Sequence, residues 1–325
     1  MKKPATAETA ESAEKRILRI LGELSVLCGK VSHFLTGPEA LVALLLLAGA
    51  PASAAPAVPG AIDVAVAARS IQPGELVVFT VSTMQPVDGV RLHAFNREIP
   101  AFKEDALRWR ALVGVDLAAA PHAYHVTIEA KSGRQSMDTG YDLHVEPRRF
   151  PTRTLTVDDA FVNPPAGVLD RITKEARELN AVWTRSAPGR LWTGPFAAPV
   201  SAEAGSSFGS RSIFNGQARS PHSGADFPSP AGTPIEAPNA GRVVLARNLY
   251  FLGNTVVIDH GLGLFSTLAH LSVLEVQEGD EVLAGRIVGR VGATGRVTGA
   301  HLHWAVQAGG ARIDPLSLVA LLGRP

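Results

Sequence analysis

The chemistry of this chain centres on histidine, because five of its ten histidines fall between positions 222 and 303. His222 and Asp226 lie four residues apart in a segment that contains two prolines and is therefore extended, so their side chains point the same way. His301 and His303 do the same two residues apart, just before an apolar run. A catalytic zinc ion needs three nitrogen or oxygen ligands and an open position for water. The combination predicts a zinc site, and spacing alone leaves the choice between His301 and His303 open.

These residues are part of a wider set of motifs, by which the chain resembles the lysostaphin/LytM-type zinc metallopeptidases, which are peptidoglycan endopeptidases. The resemblance spans about residues 199–321, and the motifs that carry it are Ser207-Phe-Gly209, His222-Ser-Gly-Ala-Asp226, Gly232-Thr-Pro234, Gly241-Arg-Val243, Asp259-His-Gly261, Ala269-His-Leu-Ser272, Gly292-Ala-Thr-Gly295 and His301-Leu-His303. The resemblance implies that His222, Asp226 and His303 are the zinc ligands. It also implies that His270 and His301 are the catalytic pair.

The resemblance extends upstream and also has limits. Gln72-Pro-Gly74 and Val113-Gly-Val-Asp116 are similar to an N-terminal immunoglobulin-like domain found in some exported members. Many members have a tyrosine where this chain has Leu268, and the branch that cuts glycine bridges often has a substrate-polarising tyrosine where this chain has Gly216. All five core residues are present, so these departures bear on specificity. They favour a cut between D-alanine and a diamino acid over a cut in a glycine bridge.

The predicted mechanism is metal-assisted hydrolysis, with one Zn2+ in the catalytic domain. Zinc held by two neutral imidazoles and a carboxylate lowers the pKa of its water towards about 7 and polarises the scissile carbonyl. A histidine can take the proton of that water near neutral pH, and a protonated histidine can stabilise the oxyanion or protonate the leaving amine. This mechanism requires no serine or cysteine nucleophile, and the single cysteine, Cys28, precedes the predicted cleavage site.

The remaining candidates are given structural roles. His260 is expected to shape a turn or the surroundings of the site, and Asp259 is expected to be a turn acid. Trp304 is expected to lie in the core, because strand alternation turns it away from His303. The upstream histidines have no metal spacing beyond His122-x-x-His125, whose members face opposite sides of a strand, and we expect ordinary surface or packed histidines at His93, His122, His125 and His144.

Two strand-rich regions and one helix must position these residues. Short runs rich in Val, Ile, Thr and aromatic residues, separated by turn formers, predict a small β-sandwich over 60–147. Apolar residues at three- and four-residue spacing from Val168 to Val182 predict an amphipathic helix that ends near Pro188-Gly189, within a connector at 150–198. Strands separated by glycine turns predict an all-β metallopeptidase domain over 199–321. The predicted fold class is therefore mainly β.

Residues 1–54 are predicted to be an export signal with an unusually long leader. The apolar segment Leu41–Ala50 is about half as long as the roughly 20 residues of a membrane-spanning helix. The small residues Ala52-Ser-Ala54 suit signal peptidase and predict cleavage after Ala54, with Ala57 as a second choice. A true start further downstream would explain the long leader, and an uncleaved membrane anchor is the alternative. Either way the predicted location is the periplasm or cell envelope.

Charge and composition exclude several other function classes. The chain has 31 basic and 30 acidic residues, and 25 of each sign follow residue 54. Without a positive excess the chain lacks the electrostatic attraction that dominates nucleic-acid binding. A single cysteine excludes a disulfide framework and a thiolate zinc site. Residues 279–285 resemble the hairpin of biotinyl and lipoyl carrier domains, but no lysine follows Lys174, so there is none to modify.

The sequence therefore predicts an exported zinc-dependent endopeptidase that hydrolyses peptide cross-links in peptidoglycan. The alternative is a non-catalytic cell-wall-binding or regulatory module of the same fold, which the intact five-residue set disfavours. Peptidoglycan is the predicted partner, and a protein activator or inhibitor is left open. Nothing in the overall charge attracts the chain to an anionic wall, so recognition has to come from the zinc cleft or the upstream domain.

Overall fold

A computed structural model describes residues 62–156, 162–205 and 208–323 of the chain. These ranges belong to one compact unit, Val58–Pro325. The predicted export signal at 1–54, with its apolar segment and Cys28, lies outside the described residues, and so does Ser207 of the first motif. Within the described ranges, no helix is long and apolar enough to cross a membrane.

Seven antiparallel strands form the first part of the described chain, which we call the N-terminal β-region. They are β1 (Ile62–Ala68), β2 (Leu76–Thr83), β3 (Gly89–Ala94), β4 (Arg97–Lys103), β5 (Arg108–Gly114), β6 (Ala123–Ser132) and β7 (Gln135–His144). Their order in the sheet is β1-β2-β5-β4-β3-β6-β7. Alternate residues of β3, such as Val90 and Leu92, are buried, as expected where one face of a strand packs on a core.

The sheet of the N-terminal β-region changes direction at β4. Its first part, Arg97–Pro100, pairs with β3, and its second part, Ala101–Lys103, pairs with β5. Pro100 lies at the switch, where a residue without an N–H group is tolerated. Side chains from both halves of the sheet, including Phe79 and Ile128, share one apolar core. The mainly β class is confirmed here, and the resemblance to an immunoglobulin-like domain stays a prediction.

Two short elements carry the chain from this region into the C-terminal region. Strand β8 (Thr152–Leu155) pairs in parallel with β9 (Arg211–Phe214), and β10 (Gln217–Ala218) pairs with β9. A 3₁₀ turn at Ala166–Val168 leads into helix α1 (Leu169–Trp183). The helix lies where the apolar spacing predicts it but ends before the Pro188-Gly189 dipeptide.

The buried carboxylate of Asp259 explains where α1 ends. It accepts hydrogen bonds from Ser186 Oγ and from the backbone N–H of Ala187, both at 2.7 Å, and so holds this segment in a non-helical conformation. The apolar face of α1 lies over the C-terminal region, with the ring of Trp183 edge-on to Phe265 at 5.2 Å between centroids. Asp259 also accepts a hydrogen bond from the backbone N–H of Gly261 at 2.8 Å, the local contact expected of a turn acid.

The C-terminal region is a second antiparallel sheet with glycine-rich turns. Its strands are β11 (Gly224–Phe227), β12 (Pro234–Glu236), β13 (Gly241–Leu249), β14 (Gly253–Gly261), β15 (Leu264–Leu274), β16 (Glu281–Val282), β17 (Ile287–Val291), β18 (Leu302–Ala308) and β19 (Ala311–Ile313). The main order is β11-β18-β15-β14-β13-β16, while β17 pairs with β12 and β15, and β19 pairs with β18. Central strand β15 is buried without interruption from Leu264 to Leu271.

The C-terminal region also contains a helix, which an all-β prediction omits. Helix α2 (Pro315–Leu322) begins after Asp314, whose carboxylate accepts a hydrogen bond from the backbone N–H of Leu316. An acidic N-cap followed by proline is a favourable helix start. The helix is apolar almost all round, so it lacks the amphipathic period by which the first helix is recognised.

One apolar core joins the N-terminal β-region to the C-terminal region. Leu76 and Leu112, from β2 and β5, belong to the same buried cluster as Trp304 of β18 and Leu318 of α2. The backbone N–H of Leu76 donates to Ser317 Oγ at 2.9 Å. The two regions are therefore packed as one body across this contact.

Buried ion pairs reinforce this contact. The Glu75 carboxylate accepts hydrogen bonds from Arg69 at 2.7 Å and from Arg148 at 2.9 Å. Arg69 also donates to Asp314 at 2.7 Å. The side chains of Glu75 and Asp314 are only 3% and 7% exposed. Two buried carboxylates therefore depend on the same arginines for compensation.

We predict that Glu75→Ala lowers the free energy of unfolding by about 3 kcal/mol, because it leaves partly buried guanidinium groups without a counter-charge. Urea unfolding of the full chain measures the change. The matched control is Glu98→Ala, which removes an ion pair to Arg91 whose two side chains are each about half exposed, and we expect a loss of at most about 1 kcal/mol. Equal losses in the two variants would show that the buried cluster adds nothing beyond a surface pair.

Candidate metal centre and active site

Strand pairing brings two of the predicted site residues side by side. In the β11–β18 pair, Asp226 is the register partner of His303. On its other edge β18 pairs with β15, where Ala269 faces His303. A Cβ at Gly224 would lie 2.7 Å from the His303 ring, so only glycine leaves room for that ring against β11.

Three side-chain atoms converge at this point. His222 Nε2 lies 2.9 Å from His303 Nδ1 and 3.1 Å from Asp226 Oδ1. His303 Nδ1 is 2.9 Å from the same carboxylate oxygen. In the described ranges no other group of three histidine, cysteine or acidic side chains converges in this way.

The environment sets the protonation of these groups. Burial alone would raise the pKa of the Asp226 carboxyl, but hydrogen bonds and charge from His222 and His303 outweigh it and hold that pKa well below its usual range. Burial lowers the pKa of His303, against the opposing hydrogen bond to Asp226. The structure thus favours an ionised carboxylate and a neutral His303, which are the forms that bind metals.

The donor set fits zinc. Zinc bonds to histidine nitrogen and carboxylate oxygen are about 2.0–2.1 Å long, which puts ligand atoms of a tetrahedral site roughly 3.3 Å apart. The three observed separations of 2.9–3.1 Å are close to this spacing. Two imidazoles and one carboxylate also form a donor set typical of catalytic zinc, with the fourth position left for water.

His270 lies beside this cluster in a strained conformation. Its φ of 68° is in the left-handed region, which is unfavourable for a residue with a Cβ. Two main-chain carbonyls hold it there: its N–H donates to Leu252 O at 2.9 Å, and Nδ1 lies 2.9 Å from Thr294 O. Because a carbonyl can only accept, Nδ1 carries the hydrogen and Nε2 keeps the lone pair of a neutral ring. Burial is the main cause that lowers the pKa of His270 to about 4, with a smaller contribution from the neighbouring His303.

His301, directly before β18, is oriented by a main-chain carbonyl in the same way as His270. It precedes β18, and its Nδ1 lies 3.0 Å from Gly299 O, so the hydrogen is again on Nδ1. Its Nε2 lies 3.8 Å from Asp226 Oδ1, outside hydrogen-bond distance. The His301 and His270 ring centroids are 5.0 Å apart. The structure thus places His303 in the three-atom cluster and His301 next to it.

Comparison with known proteins establishes the family. The model of peptidase family M23 matches residues 220–315. A crystal structure of a peptidase M23 from Pseudomonas aeruginosa is 31% identical to the chain, covers 79% of it, and is itself covered to 97%, with a TM-score of 0.62. The chain belongs to peptidase family M23.

Two curated relatives match a part of the chain. The peptidoglycan DD-endopeptidase ShyA of Vibrio cholerae is 42% identical over 96 residues, and the DD-carboxypeptidase/endopeptidase Mpg of Neisseria meningitidis is 38% identical over 97 residues. Each match covers 30% of this chain and 22% of the relative. Peptidases of family M23 are zinc-dependent, in keeping with the histidine and aspartate cluster.

His122 and His125 lie at the start of β6 in the N-terminal β-region. His125 pairs with Asp142 at 2.8 Å, and both side chains are largely exposed. The His122 ring lies against Tyr124, with 3.8 Å between centroids. Trp304 is fully buried, which confirms the prediction that it belongs to the core.

Sequence reasoning missed the residues that orient the catalytic candidates His270 and His301. Thr294 lies within the recognised Gly292-Ala-Thr-Gly295 motif, but spacing gives no sign that its carbonyl faces His270. Gly253 and Gly295 let two turns interlock here, since a Cβ on Gly295 would lie 2.3 Å from the Gly253 nitrogen. The sequence motif marks this loop, but only the fold shows that the loop orients His270 through the main-chain carbonyl of Thr294.

His260, buried in the sheet of the C-terminal region, predicts how folding stability changes at acidic pH. The side chain is fully buried between Ala240 O and Ser266 Oγ, which keeps it out of reach of a substrate. Burial, opposed by the Ala240 hydrogen bond and the charge of Asp259, lowers its pKa from 6.5 to about 4. Between these two values the unfolded chain binds a proton that the folded chain does not, so folding stability falls as the pH falls through this window.

We predict that the metal-free protein loses up to about 3 kcal/mol of unfolding free energy between pH 7 and pH 4 through His260 alone. The variant His260→Gln keeps polar atoms at this position and cannot titrate, so its stability should depend less on pH. Urea unfolding at several pH values measures both proteins. Parallel pH profiles would contradict the assignment.

Proposed function

We propose that the chain is a zinc-dependent endopeptidase that hydrolyses peptide cross-links of peptidoglycan. The observation that carries the proposal is the three-atom cluster flanked by two histidines, each oriented by a main-chain carbonyl, within a chain of family M23. The names of its curated relatives ShyA and Mpg describe peptidoglycan DD-endopeptidase and DD-carboxypeptidase/endopeptidase activity. We extend that substrate class to this chain.

The metal would be held by His222 Nε2, Asp226 Oδ1 and His303 Nδ1, the atoms that converge in the structure. Zinc bound there supplies Lewis-acid chemistry, which polarises the scissile carbonyl and acidifies a water molecule. Asp226 contributes the only negative charge in this set. The pairing of β11 with β18 fixes Asp226 against His303 before any metal binds.

His270 and His301 would move the protons. Both rings hold hydrogen on Nδ1 and leave Nε2 free to accept a proton from the attacking water. Once protonated, the same nitrogen can stabilise the developing oxyanion or return the proton to the leaving amine. The carbonyls of Thr294 and Gly299 keep both rings in one tautomer, so no reorientation is needed between these steps.

The preferred bond is the one between D-alanine and a diamino acid. Gly216, where the glycine-bridge branch often has a tyrosine, lies at the turn between β9 and β10 with a positive φ of 81°, and it offers no side chain to polarise a substrate. Such a substrate places the enzyme in the cell envelope, outside the cytoplasmic membrane. The export signal at 1–54 and the domain boundaries at 60–147, 150–198 and 199–321 remain part of this proposal.

The alternative is a non-catalytic wall-binding or regulatory module. That function needs neither an ordered proton-transfer pair nor a metal-type donor set. Both are present, with His270 held in a left-handed conformation that costs about 1–2 kcal/mol. The geometry supports the enzyme.

We predict that His270→Ala and His301→Ala each reduce cross-link cleavage by roughly 10²–10⁴-fold, the usual contribution of a positioned acid or base. The assay digests purified sacculi with each protein, with and without chelator, and identifies the released fragments by mass. The matched control is His125→Ala, an exposed histidine of the N-terminal β-region, which should digest sacculi like the wild type. Normal cleavage by His270→Ala would end the catalytic assignment.

We predict separately that the double variant His222→Ala, Asp226→Ala loses its zinc, because a single remaining histidine cannot hold the ion. Metal content is measured by mass spectrometry after dialysis. His270→Ala should keep about one zinc per chain, which separates loss of metal from loss of proton transfer. Stoichiometric zinc in the double variant would refute the ligand assignment.

A further inference from the structure

Helix α1 of the connector contacts the turn that holds His270. This turn, residues 250–252, joins β13 to β14, and its Leu252 carbonyl accepts a hydrogen bond from the His270 N–H at 2.9 Å. At the start of the turn, the backbone N–H of Tyr250 donates to Glu175 Oε2 at 2.8 Å. An acidic side chain of α1 is therefore bonded to the turn two residues before the carbonyl that binds the strained backbone of His270.

The carboxylate of Glu175 is held in place by its own helix. Its other oxygen, Oε1, accepts a hydrogen bond from Arg171 Nε at 2.6 Å, and the side chain is only 15% exposed. A carboxylate that is mostly removed from water needs such partners, because burial of an unpaired charge is costly. Each oxygen thus has a donor, one on the helix and one on the turn, so the carboxylate links the two elements.

Arg171 provides a second connection from α1 towards the same histidine. Its guanidinium donates to Asn248 Oδ1 at 2.9 Å, and the Asn248 amide donates to Asn254 Oδ1 at 3.0 Å. The Asn254 amide donates in turn to the carbonyl of Leu271, the residue after His270, at 3.0 Å. Hydrogen bonds therefore run from α1 to the backbone on either side of the His270 Cα, one route through the turn and one through β13 and β14.

The turn is also bonded to the loop that orients the His270 ring. The Phe251 carbonyl accepts a hydrogen bond from the backbone N–H of Arg296 at 2.9 Å, and Thr294, two residues before Arg296, has its carbonyl 2.9 Å from His270 Nδ1. A displaced turn would therefore disturb both contacts that orient His270, one to its N–H and one to its ring. A residue in a left-handed conformation stays there only while its surroundings hold it.

We propose that Glu175 is a positioning residue for the endopeptidase, so that the connector helix α1 is part of the active-site scaffold. Its carboxylate fixes the turn at 250–252, and the turn fixes His270 for proton transfer. This inference rests on the proposed function, because it assumes that His270 acts in cleavage. The contact to the turn is a hydrogen bond from a neutral N–H, so an amide oxygen of the same reach can replace the carboxylate, whereas a shorter acid cannot.

Three variants of Glu175 test the proposal in the full chain, with a synthetic peptide in which D-alanine acylates an amine of a diamino acid as the substrate. Glu175→Ala removes the contact to the turn, and Glu175→Asp keeps the charge but shortens the side chain by one methylene. We expect both to lower kcat by roughly ten- to a hundredfold with little change in KM, because the proton-transfer group is misplaced while the binding surface stays intact. Glu175→Gln keeps the reach and should retain most of the wild-type kcat.

The matched control is Glu178→Ala, three residues further along α1. Glu178 pairs with Arg247 of β13, so this variant also removes an ion pair between the helix and the sheet, but one that does not involve the turn. It should keep the wild-type kcat. Equal losses of kcat in Glu178→Ala and Glu175→Ala, a wild-type kcat in Glu175→Ala, or a loss in Glu175→Gln as large as in Glu175→Ala would each overturn the positioning role.

Amide hydrogen exchange of His270 gives a second readout that does not depend on cleavage. It is measured by NMR on the metal-free proteins, with the buried amides of β2 as a reference. The His270 N–H is protected by its bond to Leu252 O, so in Glu175→Ala it should exchange at least about tenfold faster, while the reference amides are unchanged. A purely structural loss of stability would speed both, and either that result or unchanged exchange at His270 would overturn the proposal.

The remaining outcomes are also decided. If Glu175→Ala does not fold, the comparison of Glu175→Asp with Glu175→Gln takes its place, and the proposal requires faster exchange at His270 in the aspartate variant only. If the wild type cleaves neither the peptide nor sacculi, the proposed function fails, and hydrogen exchange alone decides whether Glu175 holds His270.

Discussion

Three atoms with lone pairs, on His222, Asp226 and His303, lie within 3.1 Å of one another, and the rest of the structure has to keep them there. Electron-rich atoms at that separation repel each other unless a proton or a metal cation lies between them. A flexible chain would separate them. Here two of the three belong to paired residues of neighbouring strands, so the sheet itself opposes that separation.

The same requirement explains the packing around the cluster. The floor of the site is the central part of the C-terminal sheet, where β15 is buried from Leu264 to Leu271. Interlocking glycine turns at Gly253 and Gly295 bring main-chain carbonyls close to His270. Carbonyls fixed by turns cannot rotate as side chains do, so they hold an imidazole in one tautomer at little entropic cost.

Much of the fold and the candidate site could be predicted from the sequence, because the relevant signals are local. Alternating and glycine-bounded runs mark the strands, and the spacing from Val168 to Val182 marks α1. What could not be predicted depends on partners far away in the chain. Strand β4 is hard to recognise in the sequence because it contains Pro100. The proline is accommodated where β4 switches between two halves of the sheet, and this switch exists only in the folded chain. The choice between His301 and His303 has the same origin, since His303 joins the cluster through Asp226 of β11, which lies 77 residues away in the chain.

The contact between Arg69 and Asp314 joins residues 245 positions apart, and it has a consequence for how the protein is made. The face of the N-terminal β-region that carries Leu76 and Leu112 is covered by strands and a helix from the end of the chain. During synthesis this part of the cover is missing until Leu318 and the residues before it have left the ribosome. Folding with so many distant pairings is slow, on the order of milliseconds to seconds for comparable β topologies. The nascent chain therefore has a long interval in which chaperones can bind it.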